Sequence, residues 1–188
     1  MKKIGFLTGI VLTALFISCN KVKQLANINV DIPYTVQVTV PQVDGDPAGL
    51  PLPPGGINLP FPAVAMQTNS QQYLAQYHTS ASKIVDVALK SMSLDILSPP
   101  GQNFDFLDNV QIYISTRTLP EVLVASANNI PNGQTTIDLA TVSSVNLKDY
   151  FVQDTIIFRM SAHVNAIPAS GTELQISSTF HLLANPLD

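Results

Sequence analysis

Cysteine is almost absent from this sequence, because its 188 residues include only one, Cys19. A single thiol cannot close an internal disulfide bond, and it cannot build a metal site from several cysteines. A disulfide scaffold and a zinc-cysteine cluster are therefore excluded.

Charge is also scarce, since charged residues make up 12% of the chain against 46% apolar residues. This composition excludes the charge-rich profile of disordered chains and predicts one folded domain of ordinary size. Apart from Lys2 and Lys3, 7 basic residues stand against 13 acidic ones. The negative balance argues against a nucleic-acid partner.

The first residues have the layout of a secretory signal peptide, predicted over residues 1–18. Lys2 and Lys3 precede an apolar stretch at residues 4–17, and the small Ser18 stands directly before Cys19. The stretch is shorter than the roughly 20 residues with which a helix crosses a bilayer. A removable signal is therefore predicted in preference to a permanent transmembrane anchor.

The segment Leu15-Phe16-Ile17-Ser18-Cys19 resembles the lipobox of bacterial lipoproteins. Phe16 and Ile17 replace the usual leucine and small residue, and this looser version is similar to leaders of Bacteroidota-type bacteria. The resemblance implies that Cys19 carries acyl chains such as palmitate and becomes the mature N-terminus. Several acyl chains on one residue would anchor the protein stably to a membrane.

The residues after Cys19 predict where the protein resides. In the family that the leader resembles, Asp directly after the cysteine often retains a lipoprotein at the inner membrane, and this chain has Asn20. Residues 21–24 lack an acidic cluster that would resemble a surface-export signal. We therefore expect an outer-membrane lipoprotein on the periplasmic face, with a tether over residues 19–27.

Alternating apolar residues predict an all-β domain over residues 28–188. Every even position from Ile28 to Val40 is apolar or aromatic, and Pro33 indicates an edge strand or a bulge. Further strands are predicted around residues 110–114, 122–127 and 137–139. Residues 156–166 and 174–182 are expected to pair as a hairpin across the loop at 168–171.

One strand and one helix have distinctive signals. Between Ile84 and Leu97 the apolar residues change from odd to even positions near Lys90 and Ser91, which predicts a β-bulge or a crossing between sheets. A short helix is predicted near residues 69–78, where Thr68 and Gln71 have the spacing of a capping box. Tyr73, Leu74 and Tyr77 would share one of its faces.

About seven strands of this kind predict a two-sheet antiparallel sandwich that resembles the immunoglobulin class without its cysteine pair or tryptophan. A single sheet closed on itself is the alternative. Residues 41–62 stand apart, because they hold 7 of the 14 prolines and 4 of the 9 glycines. We expect a loop there without regular structure, folded over a sheet edge or used to contact a partner.

The candidate chemical groups give no catalytic, cofactor or metal site. On the predicted hairpin His163 would face Gln175 and His181 would face Ile157, which leaves the two histidines too far apart for one metal ion. His78 has no nearby companion in sequence. Asp44 with Asp46, and Asp105 with Asp108, lack the remaining ligands of a calcium loop and are expected to serve turns and caps.

These features predict a membrane-anchored binding or structural module of the cell envelope that is not an enzyme. Its expected partners are the membrane, through Cys19, and a protein or a glycan. The alternative is a periplasmic carrier that holds an apolar ligand between its two sheets.

Overall fold

A computed structural model describes residues 27–41 and 52–185. The predicted signal peptide, Cys19, Asp44 and Asp46 lie outside the described residues, as does nearly all of the tether. The predictions made for them stay predictions.

Within the described residues, ten strands and two short helices make up the fold. The strands are β1 (Ile28–Thr39), β2 (Ile57–Pro60), β3 (Val64–Gln67), β4 (Ile84–Ser98), β5 (Leu107–Ser115), β6 (Val122–Asn128), β7 (Thr136–Asp138), β8 (Ala140–Thr141), β9 (Thr155–Val164) and β10 (Glu173–Ala184). The helices are α1 (Ser70–Gln76) and α2 (Lys148–Phe151). Short 3₁₀ turns occupy Ala81–Lys83 and Phe104–Phe106.

The strands form two antiparallel sheets, which confirms the predicted sandwich. One sheet has the order β1-β10-β4-β7, and the other has the order β2-β9-β5-β6-β8 with β3 also paired to β9. The predicted resemblance to the immunoglobulin class does not extend to the strand order, because the first strand pairs here with the last one instead of with its neighbour in sequence. Three long strands, β1, β4 and β10, lie in the first sheet, and the other three, β5, β6 and β9, lie in the second.

The predicted hairpin between the last two long strands is also wrong. Strands β9 and β10 lie in different sheets, so that β10 pairs with β1 and β4, and β9 pairs with β5 and the β2 and β3 edge. Both strands alternate as predicted. Alternation specifies which face of a strand is buried and leaves its partner open, which is why the pairing was missed.

Strand β1 confirms the period-two prediction over its whole length. Its even positions from Val30 to Val38 are buried and its odd positions are exposed. The strand lies at the edge of the four-stranded sheet, where the missing N–H of Pro33 removes no bond from a central ladder. The edge position predicted from Pro33 is thus confirmed.

Strand β4 contains the irregularity predicted near Lys90 and Ser91. Ser91 faces Thr179 and Leu89 faces Phe180, so Lys90 is an extra residue in the ladder with β10. The bulge lets Leu89 and Met92 both point inward although they are three residues apart. A second register shift leaves Val85 outside, where 51% of its surface is exposed.

The proline-rich segment contains a strand where none was predicted. Strand β2 pairs with β9 from Ile57 opposite Val164 to Pro60 opposite Ser161. An edge strand uses the hydrogen-bonding groups of one side only, so it tolerates proline better than a central strand does. Strands β2, β3 and β8 are only two to four residues long and were not predicted, which is why about seven strands were expected.

Helix α1 confirms the predicted helix with a different cap. The helix begins at Ser70, and Asn69 is its N-cap in the left-handed conformation. Thr68 is fully buried, and its hydroxyl donates a 2.5 Å hydrogen bond to the carbonyl of Gln153. The Tyr34 hydroxyl donates to the Thr68 carbonyl, and burial raises the pKa of Tyr34 above its usual range.

Deleting Lys90 tests the bulge. The deletion leaves Leu89 opposite Phe180 and Ser91 opposite Thr179, so the inward side chains keep their face. We therefore expect only a small loss of stability, because the ion pair that is removed, Lys90 with Asp31, is exposed to solvent. Deleting Ser93, which is paired on both sides, turns neighbouring core residues outward and should prevent folding. Urea unfolding followed by circular dichroism measures both; equal losses would contradict the bulge.

Candidate functional site

Three asparagines and a histidine lie side by side on the outer face of the six-stranded sheet. Asn58 of β2 faces His163 of β9, His163 also faces Asn109 of β5, and Asn109 faces Asn128 of β6. Asparagine is depleted in strands, because it packs poorly on a pleated surface. Strand propensity therefore gives no reason for this set, which we call the asparagine row.

A polar cleft of about 430 Å³ opens beside the asparagine row. It forms where the start of β5, the loop after β6 and the end of β9 meet. The lining residues are mostly amides and carboxylates: Asp105, Leu107, Asp108, Asn109, Asn128, Asn129, Ile130, Asn132, His163 and Asn165. Its size is within the range of small-ligand sites.

Asp108 holds His163 in one orientation. A register shift between Leu107 and Asn109 leaves Asp108 unpaired in the ladder with β9, and its Oδ2 lies 3.0 Å from Nδ1 of His163. The amide of Asn165 donates a 2.6 Å hydrogen bond to the other carboxylate oxygen. Because a carboxylate accepts hydrogen bonds, Nδ1 of His163 is the donor in this contact, and Nε2 is the ring nitrogen that the contact leaves unused.

Gly56 lets the chain pass closely beside the His163 ring. A Cβ atom at this position would lie 2.3 Å from the Val164 carbonyl oxygen and 2.8 Å from Cε1 of His163. The backbone φ of Gly56 is +75°, which also favours glycine. The imidazole is thus held by a carboxylate at Nδ1 and by backbone near Cε1.

The loops of the cleft are fixed by hydrogen bonds of their own. Oδ1 of Asp105 accepts a 2.5 Å bond from the Gly133 amide, and the side chain of Asn103 accepts a 3.1 Å bond from the Asp105 amide. Asn129 adopts a left-handed φ of 53°, which asparagine tolerates better than most residues. The loops around the cleft are therefore held in place before any ligand is present.

The structure brings together three of the residues that the sequence singled out, because Asp105, Asp108 and His163 line the same cleft. Asp105 also serves a turn, as predicted, whereas the same prediction for Asp108 is wrong, because Asp108 lies within β5 and its carboxylate contacts His163 and Asn165. His181 lies in the other sheet, with Nδ1 2.7 Å from Oδ1 of Asp31. Hydrogen bonds from Lys90 and then His181 lower the pKa of Asp31.

Two further observations concern metal ligands and membrane-spanning helices. Nowhere in residues 27–41 and 52–185 do three histidine, cysteine, aspartate or glutamate side chains come together as metal ligands would. None of the helices in those two ranges combines the length and the hydropathy that a membrane crossing needs.

The asparagines themselves were missed from the sequence. Asn128 and Asn129 stand between a strand and a turn, and Asn109 occupies an outward position of an alternating strand, where polar residues are ordinary. Only the pairing of four strands shows that Asn58, Asn109 and Asn128 are neighbours. The repeated use of asparagine near strand ends is the one sequence signal that could have indicated them.

Comparisons with known proteins give little beyond these observations. No protein-family model matches the chain, and no curated protein matches its sequence. Among solved structures, a chain of Desmodium yellow mottle tymovirus covers 84% of this chain and 89% of its own length, at 13% identity and a TM-score of 0.24. A similarity of this size carries no argument about fold or function.

Replacing Gly56 with alanine tests the close approach to His163. The new Cβ meets backbone as well as the ring, so we expect Gly56→Ala to lower the free energy of unfolding by roughly 2–3 kcal/mol. Gly55→Ala is the matched control, because Gly55 also has a positive φ of +97° but nothing lies within 4 Å. Chemical denaturation of both variants measures the difference, and equal losses would mean that backbone conformation alone is responsible.

Proposed function

We propose that this protein is a non-catalytic binding module of the bacterial cell envelope, anchored to a membrane through Cys19, that binds a polar ligand in the asparagine-rich cleft. The observation that carries the proposal is the convergence of amide and carboxylate side chains from three separate segments on one preorganised cleft. Loops held on a rigid scaffold are where binding sites most often occur.

The composition of the cleft favours binding over catalysis. The Asp108 and His163 pair resembles part of a nucleophilic triad, but no serine, threonine, cysteine or lysine is among the described residues that line this cleft. Nucleophilic catalysis would need such a group beside the imidazole. In a binding role, the oriented His163 would instead offer its other ring nitrogen, Nε2, for a hydrogen bond with the ligand.

The membrane anchor is supported by the leader. Lys2, Lys3, the apolar stretch and the Ser18-Cys19 pair are the features of a lipoprotein signal, and Asn20 favours residence at the outer membrane. We propose the periplasmic face, because residues 21–24 carry no acidic cluster. Acyl chains on Cys19 would supply the attachment.

A packed interior favours this proposal over a carrier of apolar ligands. A carrier needs an apolar cavity between its sheets, whereas here large aromatic side chains are almost completely buried there, namely Phe104, Phe151, Phe158 and Phe180. The described cleft beside His163 is lined mainly by polar groups.

Metabolic labelling with an alkyne analogue of palmitate tests the anchor. We expect the wild-type protein to incorporate label and to sediment with membranes, and Cys19→Ala to do neither, because the sequence has no other thiol. Cys19→Ser is a second, more conservative variant that removes the same thiol, and we expect it to lose the label as well. Label that survives both substitutions would refute Cys19 as the lipidation site.

Amide chemical shifts test the cleft. We expect envelope extract added to the ¹⁵N-labelled protein to shift resonances at 105–109, 128–132 and 163–165, and to leave the outer face of the four-stranded sheet unchanged. Extract treated with protease and extract treated with periodate, which destroys sugars, separate protein ligands from glycans. If no fraction perturbs the cleft residues, the proposed binding role is wrong.

A further inference from the structure

A second polar row continues the asparagine row along the same sheet face. Ser161 of β9 faces Gln111 of β5, and Gln111 faces Ser126 of β6. These three side chains and the three asparagines are uncharged amides and hydroxyls. Asp108 is paired with His163 at the margin of this surface.

A third row, which contains Arg159 and Tyr113, carries charge that is already neutralised. The guanidinium of Arg159 lies 4.4 Å from the centroid of the Tyr113 ring and donates to both carboxylate oxygens of Glu121, with Nε 2.6 Å from Oε2. The hydrogen bonds from Arg159 lower the pKa of Glu121, so the pair stays ionised. This row therefore adds no net charge to the surface.

Tyr113 also fixes the amide of Gln111. Its hydroxyl donates a 2.9 Å hydrogen bond to Oε1 of Gln111, so the amide nitrogen keeps its two donor hydrogens. Arg159 lies four positions before His163 on β9, which corresponds to about 13 Å of strand. The three rows thus form a polar surface longer than a single small ligand.

The chemistry of this surface suits sugars. Each amide offers a donor and an acceptor on one rigid group, which matches neighbouring hydroxyls of a sugar ring. Asp105 and Asp108 lie at one end, so a negatively charged ligand would be repelled there. A protein partner would be expected to meet an apolar interface core, whereas on this surface the aromatic Tyr113 and the apolar Leu123 are confined to the third row and the two rows nearest the cleft carry polar side chains. An extended peptide would be expected to pair with a sheet edge.

We propose that the outer face of the six-stranded sheet binds a neutral, linear glycan, with one sugar in the cleft beside His163 and the following sugars along β9 towards Tyr113. This inference rests on the proposed function, because it names the ligand class of the same cleft and extends the site beyond it.

Titration of the full-length protein in detergent micelles with defined sugars tests the inference. The probes are cellohexaose, chitohexaose and maltohexaose as neutral chains, their disaccharides, and hexagalacturonate as an acidic chain. We expect at least one neutral hexasaccharide to shift the amide resonances of both the cleft and residues 111–113. Because the surface spans several sugars, its disaccharide should bind at least ~10-fold more weakly.

Matched variants distinguish a loss of binding that comes from this surface from a loss that any pair of surface substitutions would cause. Asn109→Ala with Gln111→Ala removes two amides of the surface and should weaken binding of that hexasaccharide by ~10-fold or more. Asn29→Ala with Gln37→Ala is the control, because both residues lie on exposed positions of β1 in the other sheet. This control should leave the affinity unchanged, and both double variants should give folded spectra.

Three results would overturn the inference: no binding by any neutral hexasaccharide, equal or tighter binding of hexagalacturonate, or equal losses in the two double variants. The proposed function can hold even when the glycan inference fails. If envelope extract shifts the cleft resonances and only protease abolishes the effect, the module binds a protein there, and the glycan inference alone is wrong.

Discussion

Phe180, fully buried in the middle of β10, lies 5.6 Å from Tyr34 of β1 and 6.5 Å from Phe151 of α2, measured between ring centroids. These contacts join the edge strand β1, the central strand β10 and helix α2. Tyr34 then donates to Thr68 at the start of the α1 segment, and Thr68 donates to Gln153. The buried aromatic cluster therefore fixes both the packing and the entry of α1, and removing a phenylalanine from such a core typically costs about 3–5 kcal/mol.

The sequence predicted the faces of the strands well and their partners poorly. Alternation identified the buried side of β1, and the change of phase in β4 located the bulge at Lys90. Alternation could not show that β10 pairs with β1, because the same pattern fits a hairpin with β9. The proline count likewise concealed β2, since an edge strand needs only one row of backbone bonds.

The candidate site was less predictable than the fold. His163 and Asp108 are 55 residues apart in sequence, and only the pairing of β9 with β5, together with the bulge at Asp108, brings them into contact. Asn58 and Asn128 depend on two further pairings. A single polar residue that faces outward on a strand says almost nothing about a binding site, because a solvent-facing strand position accepts most polar residues. A site made from such residues becomes visible only when the register of several strands is known.

The pairing of the first strand with the last also has a geometric consequence for an anchored protein. Ile28 lies opposite Ala184 at one end of the sheet, whereas Thr39 lies opposite Glu173 at the other, next to the loop that follows His163. Twelve residues of β1 correspond to roughly 35–40 Å along the strand. In the anchored protein that we propose, the chain would enter β1 at the end of the sheet that lies away from the cleft, and the length of β1 would separate that point of entry from a bound ligand.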